Sequence, residues 1–391
     1  MNPGDYALLV VDDNDNNRYT LVQRLKRLGY TNVATAVDGR EALGLLGAQR
    51  FDLVLLDVMM PELNGYEVLE RLKADANLRH IPVIMISAVD QIESVIRCVE
   101  LGAEDYLPKP FNPTLLRARV GASLEKKRLR DEIVGHLDRM ERELTWAREI
   151  QLGMVPTDFP VPTPASPVEI FATLEPARQV GGDLYDFFTN DDGKLCLVVA
   201  DVSDKGAPAA LFMARTKTLM RLVATLLRSP TGAPPQPDEI IARVNAELCR
   251  NNQQSMFVTL FFGMLDPATG ELRFCNAGHN VPYVVSPRNG VVPLSGPRGK
   301  PLGIRATLPY ESATWTLAPG DRLFLFTDGI TEAMDAGGDL FSEHRLEESL
   351  RSLAREAPRA VVGGVIAAVR GFAGAAAQSD DIAVMAVRLV E

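Results

Sequence analysis

Apolar and polar positions follow three successive rhythms along the chain. Up to about residue 120, short apolar runs alternate with helical patterns. Ala7-Leu8-Leu9-Val10-Val11, Leu53 to Leu56 and Val83 to Ile86 are the runs; Arg18 to Leu28, Glu41 to Leu46 and Tyr66 to Leu72 carry apolar residues three and four apart. Strand and helix in alternation predict a parallel sheet covered on both faces. From Pro113 to Met154 the pattern is helical without a break. Asn112 is a good N-cap, Pro113 suits the first helical position, and the next proline is Pro156. At about 1.5 Å per residue such a helix runs roughly 60 Å, too long for an internal element of a compact domain. Its second half carries Ile133, Leu137, Met140, Leu144, Ala147, Gln151 and Met154, spaced 4-3-4-3-4-3 among charged neighbours. That spacing suits a two-stranded coiled coil, and hence a homodimer. The alternative is an amphipathic helix packed on its own chain, and Gly135 costs either helix about 1 kcal/mol against alanine.

Beyond about residue 165 strand-like runs neighbour one another across turns. Met256 to Leu265 and Glu271 to Cys275 flank the turn Asp266-Pro267-Ala268-Thr269-Gly270 and predict a hairpin. Leu195 to Ala200, Arg322 to Phe326 and Ile382 to Leu389 are further strands; Ala207 to Leu227, Asp238 to Arg250 and Arg359 to Phe372 are helices. Antiparallel strands with helices set apart predict an α+β fold, a sheet sandwich flanked by helices. The domains are therefore expected at 1–120, 121–164 (the linker helix) and 165–391. Proline-rich stretches at Pro156 to Pro167 and Pro230 to Pro237 read as a stiff spacer and a surface loop.

With 391 residues the chain is longer than one domain usually needs, and 46% hydrophobic with 24% charged residues is an ordinary soluble balance. The net charge of −10 offers no attraction for nucleic acid or an anionic membrane. Cys98, Cys196, Cys249 and Cys275 are scattered, which argues against a zinc site or disulfide framework and suits a reducing cytoplasm. The N-terminus lacks the basic region of a signal peptide, and no apolar run approaches the ~20 residues of a membrane span.

Candidate chemistry gathers at the strand ends. In the first region Asp12-Asp13, Asp57, Ser87 and Lys109 each follow an apolar run. In parallel sheets ligands bind at the carboxyl ends of strands, so one site could collect three carboxylates, a hydroxyl and an ammonium. Three carboxylates repel unless a cation joins them, and hard oxygen ligands favour Mg²⁺. One carboxylate can then act as a nucleophile towards a phosphoryl group, with Ser87 and Lys109 holding its oxygens. A lone Asp such as Asp38 or Asp52 is better read as a turn or cap residue. The stretches VVDDNDNNR, LLDVMMPELNGYEVL, VIMISA and GAEDYLPKPF resemble those of bacterial response-regulator receiver domains. The resemblance implies a five-stranded doubly wound sheet, Asp57 as phosphoacceptor, and Mg²⁺ on Asp12, Asp13, Asp57 and the carbonyl of Met59. It also implies phosphoryl contacts from Ser87 and Lys109, a cis peptide at Lys109-Pro110, a mobile Tyr106 and a sensor histidine kinase as phosphodonor.

In the second region acids cluster again, at Gly181-Gly182-Asp183 with Asp186, Ala200-Asp201-Val202, Thr327-Asp328-Gly329 and Ser379-Asp380-Asp381. Glycine beside aspartate lets the backbone approach a ligand closely, and hydrophobic strands leading into Asp201 and Asp328 would hold them rigidly. No P-loop, GxSxG elbow or Cys-x5-Arg loop is present, so hydrolysis by metal-bound water is the chemistry that remains. VGGDLYDFF, ADVSDKGAPAALFMA, FVTLFFGMLDPATGELRFCNAGHN, LFLFTDGITEA and SDDIAVMAVR resemble bacterial PP2C-type serine phosphatases, in the subgroup that regulates sigma factors and sporulation. AREIQLGMVP resembles the segment preceding that domain, which implies that the long helix is the family's regulatory linker. The resemblance implies two Mn²⁺ or Mg²⁺ ions on Asp183, Asp201, Asp328 and Asp380 with the carbonyl of Val202. Asp380 is favoured over Asp381, and His279 is read as structural rather than as a general acid. His80, His136 and His344 are expected to face solvent. The expected function is a two-component response regulator in which Asp57 phosphorylation controls a metal-dependent phosphatase acting on phosphoserine or phosphothreonine of an anti-sigma antagonist. The rival reading is a phosphorylation-controlled scaffold whose C-terminal domain only binds partners; four filled metal positions count against it.

Overall fold

The computed structural model describes residues 2–88, 92–160, 162–163, 167–227 and 234–390. Parts of both proline-rich stretches lie outside these residues. The chain forms two compact units, Met1–Met140 and Glu141–Glu391.

The first unit is a five-stranded parallel sheet of β1 (Ala7–Val11), β2 (Asn32–Ala36), β3 (Leu53–Asp57), β4 (Val83–Ala88) and β5 (Asp105–Lys109), in the order β2-β1-β3-β4-β5. Helices α1 (Asp15–Arg27), α2 (Gly39–Ala48), α3 (Gly65–Ala74) and α4 (Ile92–Glu100) connect the strands. β3 is buried at every position because both sheet faces are covered, which is why it reads as a continuous apolar run. Leu8, Val10, Leu55 and Ile86 pack towards Leu116, Val120 and Leu124, which belong to the start of α5 (Pro113–Met154). That helix begins where the cap chemistry places it, with the Asn112 side chain accepting from the backbone N–H of Thr114 at 2.9 Å and Leu115 at 3.2 Å. Further along, Arg119 pairs with Asp105 at 2.7 Å and Lys127 with Asp52 at 3.2 Å.

The second unit is a sandwich of two antiparallel sheets. One has the order β13-β10-β9-β8-β7, from β7 (Leu184–Thr189), β8 (Leu195–Val202), β9 (Val258–Leu265), β10 (Glu271–Ala277) and β13 (Ala313–Thr316). The other has the order β12-β11-β14-β15-β6, from β6 (Val168–Glu175), β11 (Tyr283–Ser286), β12 (Gly290–Pro293), β14 (Arg322–Phe326) and β15 (Ile382–Leu389). Leu197, Val199, Phe261, Phe274, Leu325 and Met385 fill the space between the sheets. The outer face of the first sheet is covered by α6 (Ala207–Leu226) and α7 (Pro237–Leu248), that of the second by α8 (Ser342–Ser352) and α9 (Pro358–Ala373). No helix among the described residues is long and apolar enough to cross a membrane.

The stripe on α5 divides in two. Ile133, Leu137 and Met140 are about 60% exposed, as an unpaired seam would be. Gln151 is instead 3% exposed and packs within the second unit, where its amide donates to the carbonyl of Gly181 at 2.6 Å and accepts from the Gly181 N–H at 3.1 Å. An apolar residue at this stripe position could not satisfy both backbone groups.

Phe261 is fully buried and stacks on Phe274 with centroids 5.5 Å apart. Phe261→Ala is expected to cost the second unit about 3–5 kcal/mol. Urea unfolding followed by the fluorescence of Trp315, which packs on this core, measures it.

Candidate active sites

The parallel sheet of the first unit brings its strand ends to one edge. Asp12 is fully buried after β1, and Asp57, at the end of β3, is 2% exposed. Ligand oxygens of Asp12, Asp13 and Asp57 lie within 4.8 Å of one another. Lys109 Nζ sits 2.9 Å from Asp12 Oδ2 and 2.8 Å from Asp57 Oδ2. Asp57 Oδ1 is buried with no hydrogen-bond partner. Burial raises the Asp57 pKa and the charges of Asp12 and Asp13 add to the rise, with Lys109 opposing. Lys109 gains more from these carboxylates than it loses by burial, and its pKa is raised. Parallel pairing of β4 with β5 sets Ser87 beside Pro108, one position before Lys109. Met59 is 73% exposed. Gly65 is required by close approach, since a Cβ there would lie 2.1 Å from the carbonyl of Asp57. The Lys109-Pro110 peptide is cis.

In the second unit the acids come from both sheets. Asp183 precedes β7, whose first residue pairs with Ala200, the neighbour of Asp201 on β8. Asp328 follows β14, whose last residue pairs with Val384 near the start of β15, behind Asp380. Antiparallel pairing thus sets each strand-end acid beside a strand-start acid at one edge of the sandwich. Asp183 is 2% exposed and accepts from Thr327 Oγ1 at 2.6 Å. Burial, then the charges of Asp201, Asp381 and Asp328, push its pKa well up. Burial and the charge of Asp328 raise Asp201 to about 7, and burial with Glu332 and Asp380 raises Asp328 to about 6. Desolvated, mutually repelling carboxylates have the donor chemistry for hard divalent ions.

The neighbouring acids have other duties. Asp381 spends one oxygen on the N–H of Ala177 at 2.8 Å and the other on that of Gly182 at 2.7 Å. It braces the loop carrying Asp183, whereas Asp380 Oδ2 faces Lys205 Nζ at 2.8 Å. A Cβ on Gly181 would lie 1.9 Å from Asp381 Oδ2, and one on Gly182 would lie 2.7 Å from the Val202 carbonyl. Asp186, grouped with Asp183 on sequence alone, is directed away. It is held by Lys217 at 2.9 Å and by two contacts from Arg221 at 2.6 Å, one turn apart on α6. His279 is buried with Nδ1 2.9 Å from Thr259 Oγ1, and burial pushes its pKa down to about 3. It is neutral at physiological pH, as a structural residue would be. His80, His136 and His344 are exposed. The partners of Gln151, Thr327 and Lys205 were not legible in the sequence, because each lies far along the chain or across a turn from the group it contacts.

The chain thus combines a parallel receiver-type sheet with a four-layer αββα sandwich. The profile of the family described as "Stage II sporulation protein E (SpoIIE)" matches residues 191–390, and that of "Response regulator receiver domain" matches residues 8–121. The first covers just over half of the chain, which therefore belongs to the SpoIIE family. Among curated proteins, "Protein IcfG" of Synechocystis sp. is 30% identical over 245 residues, 58% of this chain and 38% of that protein. "Probable transcriptional regulator ycf27" of Cyanidium caldarium is 38% identical over 151 residues, 39% of this chain and 59% of that protein. The chain thus spans less than two thirds of these relatives. Among solved structures, the SiaA-PP2C domain of Pseudomonas aeruginosa superposes with a TM-score of 0.55 at 21% identity, covering 65% of this chain and 98% of that one, a likeness of fold.

The raised carboxyls carry a pH consequence. Between the unfolded value of about 4 and the folded values of about 7 and about 6, the native state binds protons that the unfolded chain has released. Their contribution to stability therefore falls as pH rises through this window. With chelator present, the second unit is expected to melt at a lower temperature at pH 7.5 than at pH 5.5, and Mn²⁺ is expected to raise the pH 7.5 value more. Differential scanning calorimetry of the full chain measures both.

Proposed function

We propose that the chain is a response regulator whose output is a metal-dependent protein serine/threonine phosphatase. The observation that carries this reading is the convergence of Asp183, Asp201, Asp328 and Asp380 at one edge of the sandwich, with burial and mutual repulsion raising Asp183, Asp201 and Asp328. These four carboxylates, with the Val202 carbonyl, are assigned two Mn²⁺ or Mg²⁺ ions. Asp12, Asp13, Asp57 and the Met59 carbonyl are assigned one Mg²⁺. Such ions lower the pKa of water and neutralise phosphoryl oxygens when bound.

The chain's own residues do the positioning. Asp381 and Thr327 hold the Asp183 loop against the second sheet. In the first unit Asp57 takes the phosphoryl group from a sensor histidine kinase, and Ser87 and Lys109 contact its oxygens. Repulsion from Asp12 and Asp13, which raises Asp57, is relieved when a cation shares their oxygens. Helix α5 is assigned the transmission of this state, supported by the hydrogen bonds of Gln151 to Gly181, two residues before Asp183. The substrate class is a phosphoserine or phosphothreonine protein of the anti-sigma antagonist type, in the cytoplasm. The exposed Ile133, Leu137 and Met140 support a homodimer through α5.

Two measurements test this reading. In Mn²⁺-dependent hydrolysis of p-nitrophenyl phosphate by the full chain, wild type is expected to turn over and Asp201→Asn to lose at least about a hundredfold in rate, as expected when a catalytic ion is lost. Acetyl phosphate is expected to change the wild-type rate and leave Asp57→Asn unchanged. A wild type without metal-dependent activity, even on phosphoserine proteins, sinks the reading. Analytical ultracentrifugation at micromolar concentration is expected to give a dimer that Leu137→Glu dissociates; a monomer with and without acetyl phosphate removes the coiled-coil pairing.

A further inference from the structure

Beside the acids of the second unit stands a cation, Lys205. Lys205 lies four residues after Asp201, in a loop that turns sharply through Asp204 at φ 74° and Gly206 at φ 79°. That turn carries its ammonium across to the β15 side of the site, 2.8 Å from Asp380 Oδ2 and 2.8 Å from the carbonyl of Ser379. Among the described residues it makes the only ion pair to Asp183, Asp201, Asp328 or Asp380. Its charge also opposes the rise of the Asp328 carboxyl.

A purely structural role accounts poorly for this placement. The Lys205 side chain is 34% exposed and that of Asp380 32% exposed, and ion pairs this wet contribute about 0–1 kcal/mol. The pocket, by contrast, has a need that its acids create. A phosphoryl dianion entering among Asp183, Asp201, Asp328 and Asp380 is repelled unless positive charge meets its oxygens. An ammonium on a flexible four-carbon stem has three donors and can change partners at little cost. The first unit also sets an ammonium among its acids, with Lys109 bridging Asp12 and Asp57.

We propose that Lys205 is the substrate-side cation of the phosphatase site, held on Asp380 until a divalent ion claims that carboxylate and then turned to the phosphoryl oxygens of a phosphomonoester or of the inorganic phosphate product. This rests on the phosphatase reading above. It makes two predictions of opposite sense for one substitution, because Lys205 competes with the metal and assists the anion.

The test uses full-length Lys205→Met and Lys205→Arg beside wild type. Calorimetric titration with Mn²⁺ alone is expected to show tighter binding to Lys205→Met, by about threefold or more, since no ion pair has to be broken. In the Mn²⁺-loaded protein, inorganic phosphate is expected to bind Lys205→Met about tenfold more weakly, with KM for p-nitrophenyl phosphate rising in parallel and kcat changing less. Lys205→Arg is expected to recover most of the phosphate affinity. Weaker Mn²⁺ binding to Lys205→Met shows that Lys205 only orients Asp380, and unchanged phosphate affinity shows that it does not meet the anion; either overturns the inference while wild-type hydrolysis leaves the phosphatase reading standing. A wild type without hydrolysis takes both down together. Should Lys205→Met fail to fold, Lys205→Gln takes its place in the Mn²⁺ and phosphate titrations, with the same expected outcomes.

Discussion

Carboxylates buried beside one another repel, and both units are arranged around holding them together. Removing an ionised carboxylate from water without a partner is costly, and the ordinary response is a raised pKa or a counter-charge. Asp57, Asp183, Asp201 and Asp328 show the first response. Lys109 and Lys205 supply the second. The backbone must then be stiff enough to resist the repulsion. Glycine provides this by allowing contacts that any side chain would block: Gly65 against the Asp57 carbonyl, and Gly181 and Gly329 against Asp381.

The two folds reach the same end by different geometry. In a parallel sheet every strand points the same way, so acids following β1 and β3 meet at the carboxyl edge without further arrangement. An antiparallel sandwich alternates its strand directions. Its acids therefore come from a strand end and a neighbouring strand start in each sheet, and hydrogen bonds between the sheets hold the halves in place. Thr327 to Asp183 is one of these and Gly182 to Asp381 another. The second site consequently depends on the relation between two sheets, and the first on one sheet alone.

Helix α5 is secured differently at its two ends. Near its start it is part of a hydrophobic core, through Leu116, Val120 and Leu124. Near its end it is held by Gln151, whose amide pairs with both backbone groups of Gly181. A two-point amide bond is directional, and it fixes this end of the helix at Gly181, two residues before Asp183.

Periodicity was enough to read the parallel sheet, the bounds of α5 and the sandwich class, and strand-end position marked the acids as candidates. These are local properties: an apolar run shows its burial, Asn112-Pro113 announces a helix start, and an acid after an apolar run is already at a strand end. Roles decided by distant partners were not legible. Asp186 resembles Asp183 in sequence, yet Lys217 and Arg221, more than thirty residues away, hold it elsewhere. Gln151 fits a heptad position until Gly181 is beside it. Asp380 and Asp381 are adjacent and chemically identical, yet Asp381 accepts from the N–H groups of Ala177 and Gly182 while Asp380 faces Lys205. The sequence by itself determined which residue types stand at the strand ends, because the hydrophobic pattern sets where each strand stops. Only the tertiary structure decided which of them meet, because that depends on how strands far apart in the chain pair and how the two sheets are held against each other.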